Sequence, residues 1–288
     1  MKPSPFDYAA PATVAEAVAL LGDAEHEAKV LAGGQSLVPM LSMRLARPDV
    51  LVDITRIPGL GRCVSGDAGE LRIGAAVRQA AVAADPAVRA GWPLLAAAID
   101  RIGHPQIRHR GTVCGSLAHH DPAAELPAAA VALDARFVLA GPSGTRTVPA
   151  AEFFVATFQT ALAEDELLTE VVFPAQPAGR GWAFDELARR HGDFATVGVC
   201  VLLDRIGDAA TAARVVFCGA GPVPVRLPAA EAALTGATLD ADTLAEAARV
   251  VRAELEPPGD VHASAEYRRE AAAHLLTRTV TAAWERSR

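Results

Sequence analysis

Several common signatures are missing from this chain of 288 residues. It contains no G-x-G-x-x-G and no G-x-x-x-x-G-K-[ST] segment, so neither a Rossmann dinucleotide fold nor a P-loop is supported. No run approaches about 18 apolar residues, which argues against a transmembrane helix. The four cysteines form no C-x-x-C pair, and we therefore expect no iron–sulfur cluster or zinc on this chain.

Lysine is also scarce, and nearly all the positive charge is arginine. Lysine occurs only as Lys2 and Lys29, and the formal net charge is −7. Because phosphate backbones are bound by basic patches, we expect no nucleic acid partner. The opening residues Met1–Pro5 lack the apolar segment of a secretory signal, so a cytoplasmic location is expected. The histidines around the 112–116 region do not complete a metal-ligand set at helical spacing, and no metal residue is assigned.

What the chain does contain is two short glycine motifs. The first motif is residues 32–36 (AGGQS), and the second motif is residues 112–116 (TVCGS). Glycine lets backbone N–H groups approach a ligand closely, and successive N–H groups form a concave anion site. Two such motifs suit the two phosphates of a diphosphate, which predicts a dinucleotide cofactor.

The order of predicted elements indicates an α+β chain in three parts, residues 1–57, 58–177 and 178–288. The first part reads as a parallel unit. Its predicted elements are a helix from the Thr13–Glu16 capping box to Leu21, a strand at Lys29–Leu31, a helix at Gln35–Met43 and a strand at Val50–Ile54.

The second part is expected to be a second α/β unit that opens with a hairpin, and the third part to carry antiparallel strands. The second part reads as strands at 62–65 and 71–74 joined by the turn 66–69, helices at 78–84, 93–102 and 122–133, and strands at 136–140, 146–148 and 168–173. The third part, after the linker 174–179, reads as strands at 182–187, 196–204 and 212–218, and helices at 228–234, 241–255 and 264–286.

Four ordered segments resemble one protein family from end to end. They are Leu31–Met40 with its continuation to Pro48, Thr112–Pro127, Arg189–Ala195 and Ala265–Arg269. In sequence and spacing they are similar to the flavoprotein, or medium, subunit of bacterial molybdenum hydroxylases of the carbon monoxide dehydrogenase and xanthine dehydrogenase type.

The resemblance implies a fold and a role. The fold is the FAD-binding fold of vanillyl-alcohol-oxidase and enolpyruvyl-reductase enzymes, with two α/β units that clamp FAD and a C-terminal antiparallel sheet with helices. The implied role is electron transfer from [2Fe-2S] clusters on a small subunit, through FAD, to NAD, a quinone or another acceptor. A large subunit would carry the molybdopterin cofactor, and the assembly would be a dimer of heterotrimers. The hard chemistry belongs to cofactors, so no catalytic residue is assigned.

Family positions then supply the expected FAD contacts. The backbone of Ala32–Ser36 and the Ser36 hydroxyl would hold the pyrophosphate from one side, and Thr112–Ser116 from the other. Glu125 would bind ribose hydroxyls, Ile102 would pack on a cofactor ring, Leu167 would approach through its backbone, and Phe194 would lie at the flavin face. The full expected set is Leu31, Ala32, Gly33, Gly34, Gln35, Ser36, Leu37, Ile102, Thr112, Cys114, Gly115, Ser116, Glu125, Leu167 and Phe194.

Three residues depart from the family pattern. Cys114 stands for a glycine, Phe194 for a frequent tyrosine, and Glu186 for a frequent lysine. Two alternatives therefore stay open. One is a self-contained FAD-dependent reductase or oxidase, which would need proton-handling side chains near the flavin. The other is a non-catalytic assembly subunit whose second motif has lost FAD.

Overall fold

The computed structural model describes residues 2–66 and 69–288 and contains three main sheets and a short hairpin. The strands are β1 (Asp7–Ala9), β2 (Ala28–Leu31), β3 (Val50–Asp53), β4 (Cys63–Ser65), β5 (Leu71–Gly74), β6 (Arg136–Gly141), β7 (Gly144–Pro149), β8 (Phe154–Ala156), β9 (Gln159–Thr160), β10 (Leu167–Phe173), β11 (Gly181–Ala188), β12 (Ala195–Ile206), β13 (Ala209–Cys218) and β14 (Val225–Arg226). The helices are α1 (Val14–Leu21), α2 (Leu37–Ser42), α3 (Gln79–Ala84), α4 (Pro86–Gly91), α5 (Pro93–Arg101), α6 (Pro105–Arg110), α7 (Val113–His119), α8 (Glu125–Ala132), α9 (Ala150–Phe153), α10 (Pro228–Leu234), α11 (Ala241–Glu254) and α12 (Ala265–Arg286). The predicted α+β class is confirmed.

The first sheet is small and parallel, with the order β1-β3-β2. Thr13 caps α1, since its side chain accepts a hydrogen bond from the Glu16 N–H at 3.1 Å. The Glu16 carboxylate in turn accepts from the Ala12 N–H at 2.8 Å. The capping-box helix and the parallel strand pair predicted for this part are both present. The first glycine motif therefore follows the carboxyl end of a parallel strand, where ligands commonly bind.

The second sheet is antiparallel, with the order β4-β5-β10-β6-β7. The predicted hairpin pairs β4 with β5 in the register Val64 opposite Arg72. Its turn residues Asp67 and Ala68 lie outside the described residues. Helices α3 to α8 fall between β5 and β6, so this long insertion carries the second glycine motif.

The third sheet has the order β11-β12-β13-β14, and its two faces pack against different partners. Side chains alternate between the faces of a strand. One face, which includes Val197, Val199 and Val201, packs with α10, α11 and α12. The opposite face, which includes Cys200 and Leu202, joins the core of the preceding sheets and contacts α8. The third sheet is thus covered on both sides.

Several helix predictions are wrong in their bounds or incomplete. Residues 35–36 form a turn rather than the start of α2, and residues 122–124 form a turn before α8. Helices α4, α6, α7 and α9 and strands β1, β8, β9 and β14 were not predicted. These helices have four to seven residues, too short for a clear 3.6-residue apolar period. Within residues 2–66 and 69–288, no helix combines the length and the hydropathy needed to cross a membrane.

Candidate functional site

The first glycine motif forms a tight turn between β2 and α2. Gly34 has a φ of +71°, a backbone conformation that other residues adopt only with strain. The backbone hydrogen bonds of residues 2–66 and 69–288 include none donated by the N–H groups of Gly33, Gly34, Gln35 or Ser36. These half-buried groups are therefore available to a ligand or to water. The turn presents a row of donors, as an anion site requires.

The second glycine motif begins with an N-cap and continues as α7. The buried Thr112 Oγ1 accepts a hydrogen bond from the Gly115 N–H at 3.0 Å, and the Thr112 carbonyl accepts from the Ser116 N–H at 3.2 Å. In the described part of the chain, the N–H groups of Thr112 and Cys114 donate to no protein acceptor. The second motif therefore also offers backbone donors, although it is helical rather than a loop.

The fold brings the two glycine motifs into direct contact. A Cβ on Gly33 would lie 2.5 Å from the Arg110 carbonyl oxygen, 2.7 Å from Gly111 Cα and 3.0 Å from the Thr112 nitrogen. On the other motif, a Cβ on Gly115 would lie 3.8 Å from Ala32 Cβ. Glycine at position 33 is thus required by the close approach of two backbones. The donors of the two motifs consequently belong to one continuous surface.

Cys114 does not place its side chain in this surface. It is only 2 % exposed, and its Sγ donates to the Ile73 carbonyl oxygen at 3.4 Å in the core. Burial raises the pKa of the Cys114 thiol well above its usual range. The departure from glycine at this position therefore leaves the ligand-facing backbone unobstructed, and a contact with a ligand would be made through the Cys114 N–H.

Glu125 is the first residue of α8 and is 3 % exposed. Burial, with a smaller contribution from the Glu186 carboxylate, raises the pKa of Glu125 to about 8. Glu186 on β11 has its own pKa raised to about 7, mainly by burial, while Arg101 lowers it. The Glu186 Oε2 atom is buried and has no hydrogen-bond partner within residues 2–66 and 69–288. The two carboxyl groups form a desolvated acidic pair where α8 meets the third sheet.

Gly198 provides the space for Glu186. It lies opposite Glu186 on β11 and opposite Cys218 on β13. A Cβ at this position would be 2.8 Å from Cys218 Sγ and 3.1 Å from Glu186 Cβ. The Glu186 side chain therefore occupies room that any other residue at position 198 would take.

Phe194 and Ile102 lie on two segments that touch. The loop before β12 carries Phe194, which is 59 % exposed. Its neighbour His191 stacks on His104 with ring centroids 5.9 Å apart, and His104 follows Ile102 by two residues. Ile102 is the C-cap residue that follows α5, and its carbonyl accepts a hydrogen bond from Arg108 at 2.7 Å. The loop that carries Phe194 thus contacts the segment that follows α5.

The remaining predicted residues have varied positions. Leu31 ends β2, Gln35 donates through Nε2 to the Gly33 carbonyl at 3.2 Å, and Leu37 begins α2. Leu167 is buried at the start of β10, opposite Ala140. Across the described residues, no hydrogen bond joins Leu167 to either glycine motif. Within the same residues, no group of three or more His, Cys, Asp or Glu side chains is arranged to hold a metal ion.

Comparison with known proteins identifies the family. Residues 4–176 match the model of the FAD binding domain in molybdopterin dehydrogenase, and residues 182–283 match that of the CO dehydrogenase flavoprotein C-terminal domain. This chain belongs to the FAD-binding medium subunits of the molybdenum hydroxylases. It is 40 % identical over 286 residues to the carbon monoxide dehydrogenase medium chain of Hydrogenophaga pseudoflava, covering 99 % of both chains.

Other medium subunits act in different dehydrogenases. The chain is 42 % identical to the alpha subunit of the 6-hydroxypseudooxynicotine dehydrogenase complex of Paenarthrobacter nicotinovorans, covering 100 % of this chain and 97 % of the relative. The solved structure of carbon monoxide dehydrogenase from Hydrogenophaga pseudoflava contains a chain that matches with a TM-score of 0.96, at 42 % identity and full coverage of both chains. For quinoline 2-oxidoreductase from Pseudomonas putida 86 the TM-score is 0.94, at 36 % identity and 99 % coverage of both chains.

The medium-subunit family establishes FAD as the cofactor of this chain and an oxidoreductase subunit as its class. The predicted family, fold class, enzyme class and cofactor are confirmed. The residues present fit FAD, because in the described part of the chain several backbone N–H groups of the two adjoining motifs donate to no protein acceptor. Sequence reasoning missed Gly198 and the buried Gln79, whose partners are distant in sequence, and no local pattern marks either residue.

Proposed function

We propose that this chain holds the FAD diphosphate between its two glycine motifs and links an iron–sulfur subunit to an external electron acceptor. The acceptor would be NAD, a quinone or another oxidant. The observation that carries the proposal is the contact between Gly33 and the backbone of residues 110–112, which merges two sets of N–H donors. A diphosphate carries negative charge on both phosphates, and backbone donors from two sides match it.

The individual contacts follow from this placement. In the proposal, residues 31–37 with the Ser36 hydroxyl face one phosphate, and Thr112, Cys114, Gly115 and Ser116 face the other. Glu125 binds a ribose hydroxyl and can donate a hydrogen bond while it is protonated. Ile102 and Phe194 border the flavin, and Leu167 contributes its backbone. FAD, when bound, supplies the capacity to take up single electrons and to release a pair.

The partner subunits and the roles of the three parts of the chain are also proposed. The alpha subunit of a dehydrogenase complex and the medium chains of carbon monoxide dehydrogenase are relatives of this chain. We infer partnership with a large molybdopterin subunit and a small [2Fe-2S] subunit as a dimer of heterotrimers. Residues 1–57 and 58–177 would clamp FAD, and residues 178–288 would complete the flavin pocket. Each of these parts is built around one of the three main sheets.

A pair of glycine substitutions tests the placement of FAD. Gly34→Ala forces a side chain onto a φ of +71° in the first motif. Gly59→Ala forces one onto a φ of +89° outside both motifs, where a Cβ would meet no atom of the described residues within 4 Å. We expect Gly34→Ala to weaken FAD binding about tenfold or more, because the donor row moves. Gly59→Ala should bind FAD like the wild-type chain. Titration of flavin-free protein with FAD, followed by flavin fluorescence, measures both.

The result that contradicts the placement is equal FAD affinity in Gly34→Ala and the wild-type chain. An absorption spectrum of the purified chain, with release of the flavin by denaturation, identifies the bound cofactor independently. Electron flow is tested in the assembled complex, where substrate should bleach the flavin absorption and an added acceptor should restore it.

A further inference from the structure

The segment Arg110–Thr112, which leads into the second motif, is held on two opposite sides. On one side it touches Gly33, as described above. On the other side it runs antiparallel to residues 77–79. The Val113 N–H donates to the Val77 carbonyl at 3.2 Å, and the Gln79 N–H donates to the Gly111 carbonyl at 2.9 Å. The guanidinium of Arg78 also donates to the Arg110 carbonyl.

The side chain of Gln79 fills the space beside this segment. Gln79 is the first residue of α3 and is 3 % exposed. Its Nε2 donates to the Thr112 carbonyl at 3.4 Å. Its Oε1 lies 2.9 Å from where a Cβ of Gly111 would be, so the side chain packs directly on Gly111.

This amide is an unusual choice for such a buried position. Its Oε1 is buried and accepts no hydrogen bond from any of the residues that the structure describes. A buried acceptor without a donor lowers stability, and a methionine of similar length would fill the space without that cost. The part of the glutamine that does have a partner is Nε2, which binds the Thr112 carbonyl. Glutamine at position 79 therefore keeps an Nε2 donor to the second motif, although its Oε1 acceptor is unsatisfied.

The geometry of the peptide group connects this contact to the ligand side. A trans peptide directs its C=O and its N–H in opposite directions. The Gly111 carbonyl is directed at the Gln79 N–H, so the Thr112 N–H of the same peptide is directed away from Gln79. That direction is toward the first motif, since the Thr112 nitrogen is 3.0 Å from where a Cβ of Gly33 would be.

We propose that Gln79 is a positioning residue for the cofactor, which fixes the second glycine motif so that its N–H groups and those of the first motif face the same diphosphate. The proposal rests on the proposed placement of FAD at the two motifs. Gln79 does not touch the cofactor, and it acts through the carbonyls of Gly111 and Thr112.

Two substitutions at Gln79 separate positioning from stability. Gln79→Met removes the donor and the unsatisfied acceptor together, so the thermal unfolding midpoint without FAD should stay near that of the wild-type chain. The dissociation constant for FAD should rise about fivefold, as expected for loss of one hydrogen bond that orders the site. Gln79→Glu keeps the size and replaces the donor with an acceptor, and it should weaken FAD binding at least as much.

The matched control is Thr279→Val in α12. Thr279 is also buried, and its Oγ1 donates to the Leu275 carbonyl at 2.7 Å. This variant loses a buried hydrogen bond in the C-terminal part of the chain and should keep the wild-type dissociation constant. A change in the visible absorption of bound flavin in Gln79→Met, absent from Thr279→Val, would further support positioning.

Wild-type FAD affinity in either folded Gln79 variant overturns the proposal. If both variants unfold without FAD, the residue is structural, and the proposal is likewise overturned. Failure of the proposed placement gives a different result, because Gly34→Ala would then bind FAD like the wild-type chain. The full-length, flavin-free chain is used throughout.

Discussion

The buried carboxyl of Glu125 makes a prediction about stability as a function of pH. In the folded chain its pKa is raised from 4.5 to about 8, first by burial and then by Glu186. Between these two values the folded state keeps a proton that the unfolded state releases. Stability therefore falls as pH rises through this window, in contrast to the usual behaviour of ion-paired carboxylates.

The size of the effect follows from the same values. A change of one pKa unit corresponds to about 1.4 kcal/mol, so a rise from 4.5 to about 8 corresponds to about 5 kcal/mol of lost stability above pH 8. Glu186, with a pKa of about 7, shares part of that effect, because each carboxylate raises the energy of the other. We therefore expect Glu125→Gln to remove between about 2 and 5 kcal/mol of the pH-dependent loss.

Urea unfolding of the flavin-free chain at a series of pH values from 5 to 8.5 measures this effect. The free energy of unfolding should fall across the series for the wild-type chain and fall much less for Glu125→Gln. Glu164→Gln, at an exposed glutamate, is the control and should follow the wild-type curve. Parallel curves for Glu125→Gln and the wild-type chain would refute the assignment of a protonated, buried Glu125.

Two further predictions concern the core. Cys114 should not react with a thiol reagent in the native chain, because burial raises the pKa of its thiol and the Ile73 carbonyl accepts its hydrogen bond. In denaturant all four cysteines should react, and peptide mapping after alkylation shows which ones are labelled. Rapid labelling of Cys114 in the native chain would contradict this prediction. Residues 2–177 expressed alone should aggregate or release FAD, because one hydrophobic core joins Phe184, Leu202 and Val216 to the preceding sheets. Size-exclusion chromatography with detection of flavin absorbance measures this. A monodisperse yellow fragment would contradict the prediction and show that the FAD-binding part folds on its own.

Local signals in the sequence predicted much of the fold. Thr13 and Glu16 form a capping box, so four consecutive residues are enough to predict where α1 begins. The helix Pro228–Leu234 begins at a proline, which is favourable in the first turn of a helix. The short helix α7 was missed because Thr112, Val113 and Gly115 have low helix propensity. It forms because the Thr112 hydroxyl caps it and Val77 accepts the Val113 N–H, and the second of these contacts spans 36 residues.

The two glycine motifs of the candidate site could be predicted from the sequence, but the residues that pack around them could not. Both motifs could be recognised from their glycines, because a close approach of two backbones requires glycine and this requirement is visible in the sequence. The raised pKa of Glu125 depends in part on Glu186, which follows 61 residues later in the sequence on the third sheet. The role proposed for Gln79 could not be predicted from neighbouring residues either, because glutamine is common in the first turn of a helix. Only its contact with Gly111, which is distant in sequence, distinguishes it.

The C-terminal part of the chain also supports the site through α8. The Gly219 N–H, directly after β13, donates to the Pro122 carbonyl at 2.8 Å in the turn before α8. Arg214 on β13 donates to the Ala132 carbonyl at 3.0 Å, so hydrogen bonds hold both the approach to α8 and its last residue. Glu125 lies at the start of α8. The matched family models stop at residue 176 and resume at residue 182, but the hydrophobic core continues across that gap. A change in the third sheet can therefore reach the ribose end of the proposed site through α8 without touching either glycine motif.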